Sequence, residues 1–339
     1  MIPRTLLVGL AAVLLLVSSS APLAAAGSLP SPPAQAIDGP GGSSVAYPGV
    51  QSTQHDAGPT GYWLLVPTDN DDQPVLDEHL PLVIFLHGFS AVDPASYGAW
   101  LNHLVQRGAI VIYPTYQAAD AFVSGTEQYL TNAETGIRAA VGLLSADAPD
   151  AIDPARVALA GHSVGGWLAA QYALAAADQR LPVPTALMSL MPGGCELCGS
   201  VAAVLRIPSG LDGTLDPDTR ALVFEVASDP VVGTGASDRI WRALSQLPTN
   251  QRDRLVLSSD DHGSPALVAG HNTPETIGAG QPDAYDYGAI WRVFDALMSC
   301  AFDGTDCDVA LGGGSAQSAI GDWSDGVPVA PLRESDGTP

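Results

Sequence analysis

The run VALA at 157–160 leads straight into Gly161-His162-Ser163-Val164-Gly165-Gly166, and an alanine-rich stretch of helical composition continues to Ala177. This segment restricts the fold more than any other. An apolar strand that becomes a helix within so few residues must pass through a tight bend. The glycines stand where a Cβ would collide with neighbouring strands or with the turn itself. Such a bend holds the Ser163 hydroxyl clear of the backbone. The free N–H groups and dipole of the following helix favour negative charge beside it. A Gly-x-Ser-x-Gly pentapeptide alone arises by chance. Its place between a buried strand and a helix makes it specific as a nucleophile-bearing elbow.

The rest of the chain alternates in the same way. Tyr62 to Val66 is a short apolar strand. LVIFL at 82–86 is wholly apolar and rich in branched residues, the pattern of a strand covered on both faces. A helix-like stretch runs from Ser96 to Arg107, and Ala109 to Tyr113 is the next buried strand. From Glu127 to Leu144 the spacing is helical, with Leu130, Ile137, Val141 and Leu144 on one face. Strands are predicted at 186–190, 221–227 and 254–257, and helices at 238–246 and 285–300. This alternation predicts the α/β class, a mostly parallel central sheet with helices on both faces. The irregular segment from Pro192 to Arg220 is long enough for a small flap and too short for a separate cap domain.

Composition narrows the partners. Thirteen basic residues, all arginine, face 36 acidic ones, for a formal charge of −23. Such a field repels phosphates, which makes nucleic acid and anionic membrane surfaces poor partners. Arg4, the apolar run Leu6 to Val17 and Ala24-Ala25-Ala26 together read as an export signal over 1–26. The apolar run is shorter than the ~20 residues that span a bilayer. The mature chain is therefore expected outside the cytoplasm, without a stable membrane anchor and as a monomer. Residues 27–44, rich in Pro, Gly, Ser and Ala, read as a flexible lead-in. The folded domain is expected over 45–305. A Gly- and Asp-rich tail over 306–339 comes next, with Trp323 as the residue able to dock it.

Four cysteines form two local pairs, Cys195/Cys198 and Cys300/Cys307. Export favours disulfides, and the two local bridges are the expected pairing among the three that four cysteines allow. A zinc site would need matched Cys-x-x-Cys knuckles or histidines at ligand spacing, so no metal is expected. Asp69-Asn70-Asp71-Asp72 lacks the glycine and terminal glutamate of a calcium loop and reads as a solvated turn. No glycine-rich phosphate loop follows a strand, and no cofactor is expected.

His87-Gly88-Phe89 directly follows the LVIFL strand. Acyl transfer needs two donors aimed at a developing oxyanion. The backbone N–H groups of Val164, beside the serine, and of Phe89 are the candidates. The His87 side chain reads as a structural hydrogen-bonding group. Among the aromatic residues near the predicted mouth (Tyr97, Trp100, Tyr116 and Trp167), Trp100 reads as core. Phe89 and Trp167 are the candidate walls for a substrate, because they adjoin the two donors.

On LVIFLHGF at 82–89 and VALAGHSVGG at 157–166 the chain resembles the α/β-hydrolase superfamily, over roughly residues 45–305. Within it, the chain looks closest to single-domain secreted esterases of the chlorophyllase-like, dienelactone-hydrolase-like and cutinase-like kind. The resemblance implies a serine, then an acid, then a histidine in chain order, each at the carboxyl end of a strand. Asp229 ends the strand ALVFEVA and is the candidate acid, with Glu196 and Glu225 as weaker alternatives. Two histidines, His262 and His271, lie beyond it. His262 follows its strand more closely and is favoured as the base, leaving His271 as the alternative. The expectation is a secreted serine hydrolase acting on small-molecule or polymeric carboxylic esters through an acyl-enzyme. A serine peptidase, an acyltransferase and an inactive binding protein are the rivals.

Overall fold

A computed structural model describes residues 29–117, 126–193, 210–276 and 281–335. Its centre is a sheet built from β1 (Gly49–His55), β2 (Tyr62–Thr68), β3 (Leu80–Leu86), β4 (Ile110–Pro114), β5 (Ile152–His162), β6 (Ala186–Leu190), β7 (Arg220–Val226), β8 (Arg252–Leu257) and β9 (Arg333–Glu334). The spatial order is β1-β2-β4-β3-β5-β6-β7-β8-β9. From β4 to β8 every neighbouring pair is parallel. The edges are antiparallel, through β1 with β2, β2 with β4, and β8 with β9. The expected α/β architecture is therefore present.

The strand sequences explain the layering. Successive side chains of a strand point to opposite faces. In β3, Val83 and Phe85 enter one core while Leu82, Ile84 and Leu86 enter the other. β4 divides likewise, with Val111 and Tyr113 on the first side and Ile110 and Ile112 on the second. The first core is closed by α1 (Gly98–Gln106) and α5 (Trp291–Asp303), through Trp100, Leu101, Leu104, Phe294 and Leu297. The second is closed by α2 (Tyr129–Asp147), α3 (Val164–Gln179) and α4 (Gly235–Ala243), through Ile137, Leu168, Leu174 and Ile240. α3 is alanine-rich and apolar around most of its circumference, so it is buried on nearly every side.

The stretch expected to be a flexible lead-in is tied down, and the tail is docked through Trp323. In the stretch read as a lead-in, the Gly41 amide donates to Asp295 Oδ2 of α5 at 2.8 Å, and Arg107 donates to the carbonyls of Gly39 and Ser44. In the tail, α6 (Cys307–Leu311) and α7 (Ser315–Ser318) precede a buried Trp323, whose indole N–H donates to Asp260 at 3.1 Å. Cys300 and Cys307 form a disulfide that joins α5 to α6. Cys195, Cys198, Glu196 and the expected export signal over 1–26 lie outside the described residues. Among the described residues no helix is long and apolar enough to cross a membrane.

Candidate active site

Ser163 sits between β5 and α3 with φ 57° and ψ −121°, a conformation that L-residues rarely adopt. The glycines around it make this possible. A Cβ on Gly161 would lie 2.2 Å from the Gly165 carbonyl oxygen, and one on Gly165 would lie 2.0 Å from that of Leu86. One on Gly166 would lie 2.8 Å from that of Leu190. Backbone crosses backbone here, and only hydrogen fits between. The Ser163 amide donates to the Leu190 carbonyl at 3.0 Å, and the Ser163 carbonyl accepts from Gly193 at 3.0 Å. The bend is therefore fixed to the next strand from both sides.

Asp229 lies just beyond β7, at the carboxyl edge of the sheet. Its Oδ1 accepts from the amides of Val231 (2.9 Å) and Val232 (3.2 Å), which leaves Oδ2 aimed at an imidazole. That imidazole belongs to His271. Its Nδ1 stands 2.7 Å from Asp229 Oδ2 and its Nε2 stands 3.0 Å from Ser163 Oγ. Burial pushes the Asp229 carboxyl up, but its bond to His271, the charge there and the two amides outweigh this and hold it below the ordinary aspartate range. Asp229 therefore stays ionised, and the proton of His271 belongs on Nδ1. Nε2 is left to accept from the serine hydroxyl.

His262, the base favoured from sequence, does not reach this site. Its Nε2 pairs with Asp325 Oδ2 at 2.8 Å, and its ring lies against Trp323 with centroids 5.7 Å apart. The reason lies in the chain after β8. Asp260 bridges back to Leu267, so residues 261–266 form an excursion directed at the tail. Beyond that bridge the Ala269 amide donates to Ser259 Oγ at 2.9 Å, and the chain delivers His271. Distance along the chain from the strand end was a poor guide because this small loop intervenes. The Asp260-Asp261-His262 run serves the tail instead: Asp260 accepts from Trp323, Ala330 and the His262 amide.

Of the other expected residues, Val164 opens α3, where the helix itself provides no acceptor for its amide. The β3–α1 loop passes so close that a Cβ on Gly88 would lie 3.6 Å from Ser163 Cβ. Phe89 is the next residue and is half-buried. The Trp167 side chain is fully buried in the core around α3, with the Arg239 guanidinium 4.3 Å above its ring, because most of that helix's circumference is packed. Glu225 is not an alternative acid, since both its oxygens are taken by Arg254. His87 is stacked on Tyr116, with ring nitrogens 2.6 Å and 3.1 Å from the carbonyls of Gly88 and Thr115, and burial lowers its pKa to about 4.

Sequence reasoning placed Tyr97 near the mouth without a role and passed over His162 and Gln117. The Tyr97 hydroxyl accepts from the Gly88 amide at 2.8 Å, and Gln117 Oε1 accepts from the Ser90 amide at 2.7 Å. Two amides flanking Phe89 are thus held by side chains, Tyr97 from the α1 end of the same connection and Gln117 from beyond β4. His162, the middle of Gly-His-Ser, touches both Tyr97 and His271. Its place beside the serine was the available signal. Among the described residues no group of three or more His, Cys, Asp or Glu side chains is arranged to hold a metal ion.

Ser163 after β5, Asp229 after β7 and His271 after β8 thus stand together at the carboxyl edge of the parallel strands. A family model described as the alpha/beta hydrolase fold matches residues 83–273, more than half of the chain, from within β3 to just past His271. No curated protein matches the chain significantly. The chain belongs to the alpha/beta hydrolase family.

Proposed function

We propose that this chain is a secreted serine hydrolase of carboxylic esters, in the single-domain esterase branch of its family. The observation that carries the reading is the continuous contact from Asp229 Oδ2 through His271 to Ser163 Oγ, at 2.7 Å and 3.0 Å. Each bond has the length and partner that the chemistry requires. The Ser163 hydroxyl gives its proton to His271 Nε2 as Oγ attacks the acyl carbon. Asp229 stabilises the imidazolium and fixes its orientation. The imidazolium then protonates the departing alcohol. Water then attacks the acyl carbon, losing a proton to the same nitrogen, and as the acyl–Oγ bond breaks the imidazolium returns that proton to Ser163 Oγ and the acid leaves.

The amides of Val164 and Phe89 are assigned to the oxyanion. Support comes from their places at the start of α3 and in the loop that crosses the serine. Each such donor is typically worth ~10²–10³ in turnover. Secretion rests on the leader-like 1–26, and the Cys300–Cys307 bridge is consistent with an oxidising compartment. The β6–β7 connection, 191–219, is too short to form a separate cap domain. That favours bulky or polymeric esters over substrates that must be enclosed.

The test is a fluorophosphonate label and then turnover of matched p-nitrophenyl esters and p-nitroanilides. The reading expects labelling at Ser163 and hydrolysis of esters well ahead of anilides. Anilide turnover equal to or above ester turnover would mean a peptidase, and no label at Ser163 would remove the nucleophile.

A further inference from the structure

His162 lies beside the nucleophile yet takes no part in the Asp229–His271–Ser163 contact. Its side chain is fully buried. Nε2 is 2.8 Å from the carbonyl oxygen of His271, and Nδ1 is 2.7 Å from the Tyr97 hydroxyl. A carbonyl only accepts, so Nε2 carries the proton and Nδ1 is left with its lone pair. The Tyr97 hydroxyl must then donate to Nδ1, and its oxygen accepts from the Gly88 amide at 2.8 Å. Every donor in this relay finds one acceptor, and the direction is fixed from end to end: Gly88 N–H to Tyr97, Tyr97 O–H to His162 Nδ1, His162 Nε2–H to the His271 carbonyl.

We propose that Tyr97 and His162 are positioning residues that hold the oxyanion-side loop and the base-bearing loop in register with Ser163. The two loops extend from different strands, β3 and β8, and neither is local to the elbow. The relay joins them through the elbow's own second residue. Burial, and then the neighbouring charge of His271, lowers the His162 pKa to about 3, so the ring stays neutral and keeps its single donor. The Asp229 charge opposes this shift without overcoming it, and Glu275 Oε1 stands 3.8 Å from Nδ1, too far to compete for the Tyr97 hydrogen bond. Gly88 is part of the same arrangement: a Cβ there would come 3.0 Å from the Tyr97 oxygen and 3.2 Å from His162 Nδ1.

The inference rests on the serine-hydrolase reading, so its test uses a reaction that needs the same machinery whatever the natural acyl group. The rate of fluorophosphonate reaction at Ser163 is measured for the wild type, Tyr97→Phe, His162→Gln and the double variant. kcat and KM are taken on a p-nitrophenyl ester, and folded fraction from thermal melts. Tyr97→Phe removes one hydroxyl and keeps the ring that packs on Phe85, so it carries the test if the His162 variants fail to fold. The expected result is a fall of about tenfold or more in reaction rate and kcat for each single variant, a part of the effect of losing an oxyanion donor outright. KM should stay within about twofold, and the double variant should be no slower than the slower single, because the relay acts as a unit. His162→Asn, which keeps an acceptor near the Nδ1 position, should recover part of the Tyr97-dependent rate. Unchanged rates in folded Tyr97→Phe, effects that multiply in the double variant, or losses that only track the unfolded fraction would each overturn the proposal. A wild type that does not react at all would instead overturn the serine-hydrolase reading, and this inference with it.

Discussion

The nucleophile and the base are held by different physics. Around Ser163 the restraint is steric and local: backbone passes so close to backbone at Gly161, Gly165 and Gly166 that no side chain fits. Around His271 the restraint is a set of side-chain hydrogen bonds, some within the loop and some to distant segments. Thr273 Oγ1 exchanges bonds with Gly270, Ser259 Oγ accepts from the Ala269 amide, and His162 takes the His271 carbonyl. Thr276 ties the end of the loop to Ser96 and Ala99 beside α1. The elbow therefore comes with the fold itself, whereas the base loop depends on tertiary contacts that can be removed one at a time. Damage to the first should unfold the protein; damage to the second should spare the fold and slow the chemistry.

The largest effect is expected on the side-chain-held half. Asp229→Asn should lower kcat by about 10⁴-fold, since an amide no longer fixes the His271 tautomer or stabilises the imidazolium. The melting temperature should fall by only a few degrees. Equal losses of fold and activity would erase the contrast. Gly165→Ala is the counterpart on the steric half. With Leu86 O 2.0 Å and His87 O 2.4 Å from the new Cβ, the cost should reach the ~4–5 kcal/mol range of severe substitutions. A drop of roughly 10 °C or more in thermal melts, or failure to fold, is the expected reading.

A smaller effect concerns the buried imidazoles. His87 and His162, lowered to about 4 and about 3 by burial, stay neutral when the unfolded chain gains protons near pH 6.5. Their contribution to stability is thus intact above that pH and is withdrawn as pH falls toward those values, at ~1.4 kcal/mol per pH unit for each ring. Nitrogen NMR of the imidazoles between pH 8 and pH 5 should show both rings neutral throughout. A midpoint near 6.5 for either would contradict the burial argument. The smallest effect is expected from Thr273→Val, which keeps shape and removes the hydroxyl. A fall of about fivefold in kcat, close to ~1 kcal/mol and in the range of a single hydrogen bond, would sharpen the view that the base loop is held by additive pegs.

The same division explains what could be read from sequence. The elbow was legible because steric demands select glycine at specific positions, and glycine is visible in a string of letters. The central strands β3 to β7 were legible because apolar runs signal burial on both faces. β1 (GVQSTQH) was missed because it is a polar edge strand that pairs on one side, and β9 because it has two residues. Asp229 was legible from the end of its strand. His271 lost to His262 because the Asp260–Leu267 bridge is a tertiary feature with no mark in local composition. Trp167, read as a wall, is buried because α3 is apolar around most of its circumference. The lead-in looked free because its anchor, Asp295, lies far away in sequence, whereas the tail's docking residue, Trp323, was visible as a lone large apolar side chain in a Gly- and Asp-rich stretch.

The most direct measurement of the central claim compares His271→Ala with His262→Ala on one activated ester, with folded fractions matched. The account predicts a loss of about 10⁴-fold or more in kcat for His271→Ala, and turnover within about twofold of the parent for His262→Ala, whose ring serves Asp325 and Trp323. Abolished turnover in a folded His262→Ala, with His271→Ala still active, would contradict it.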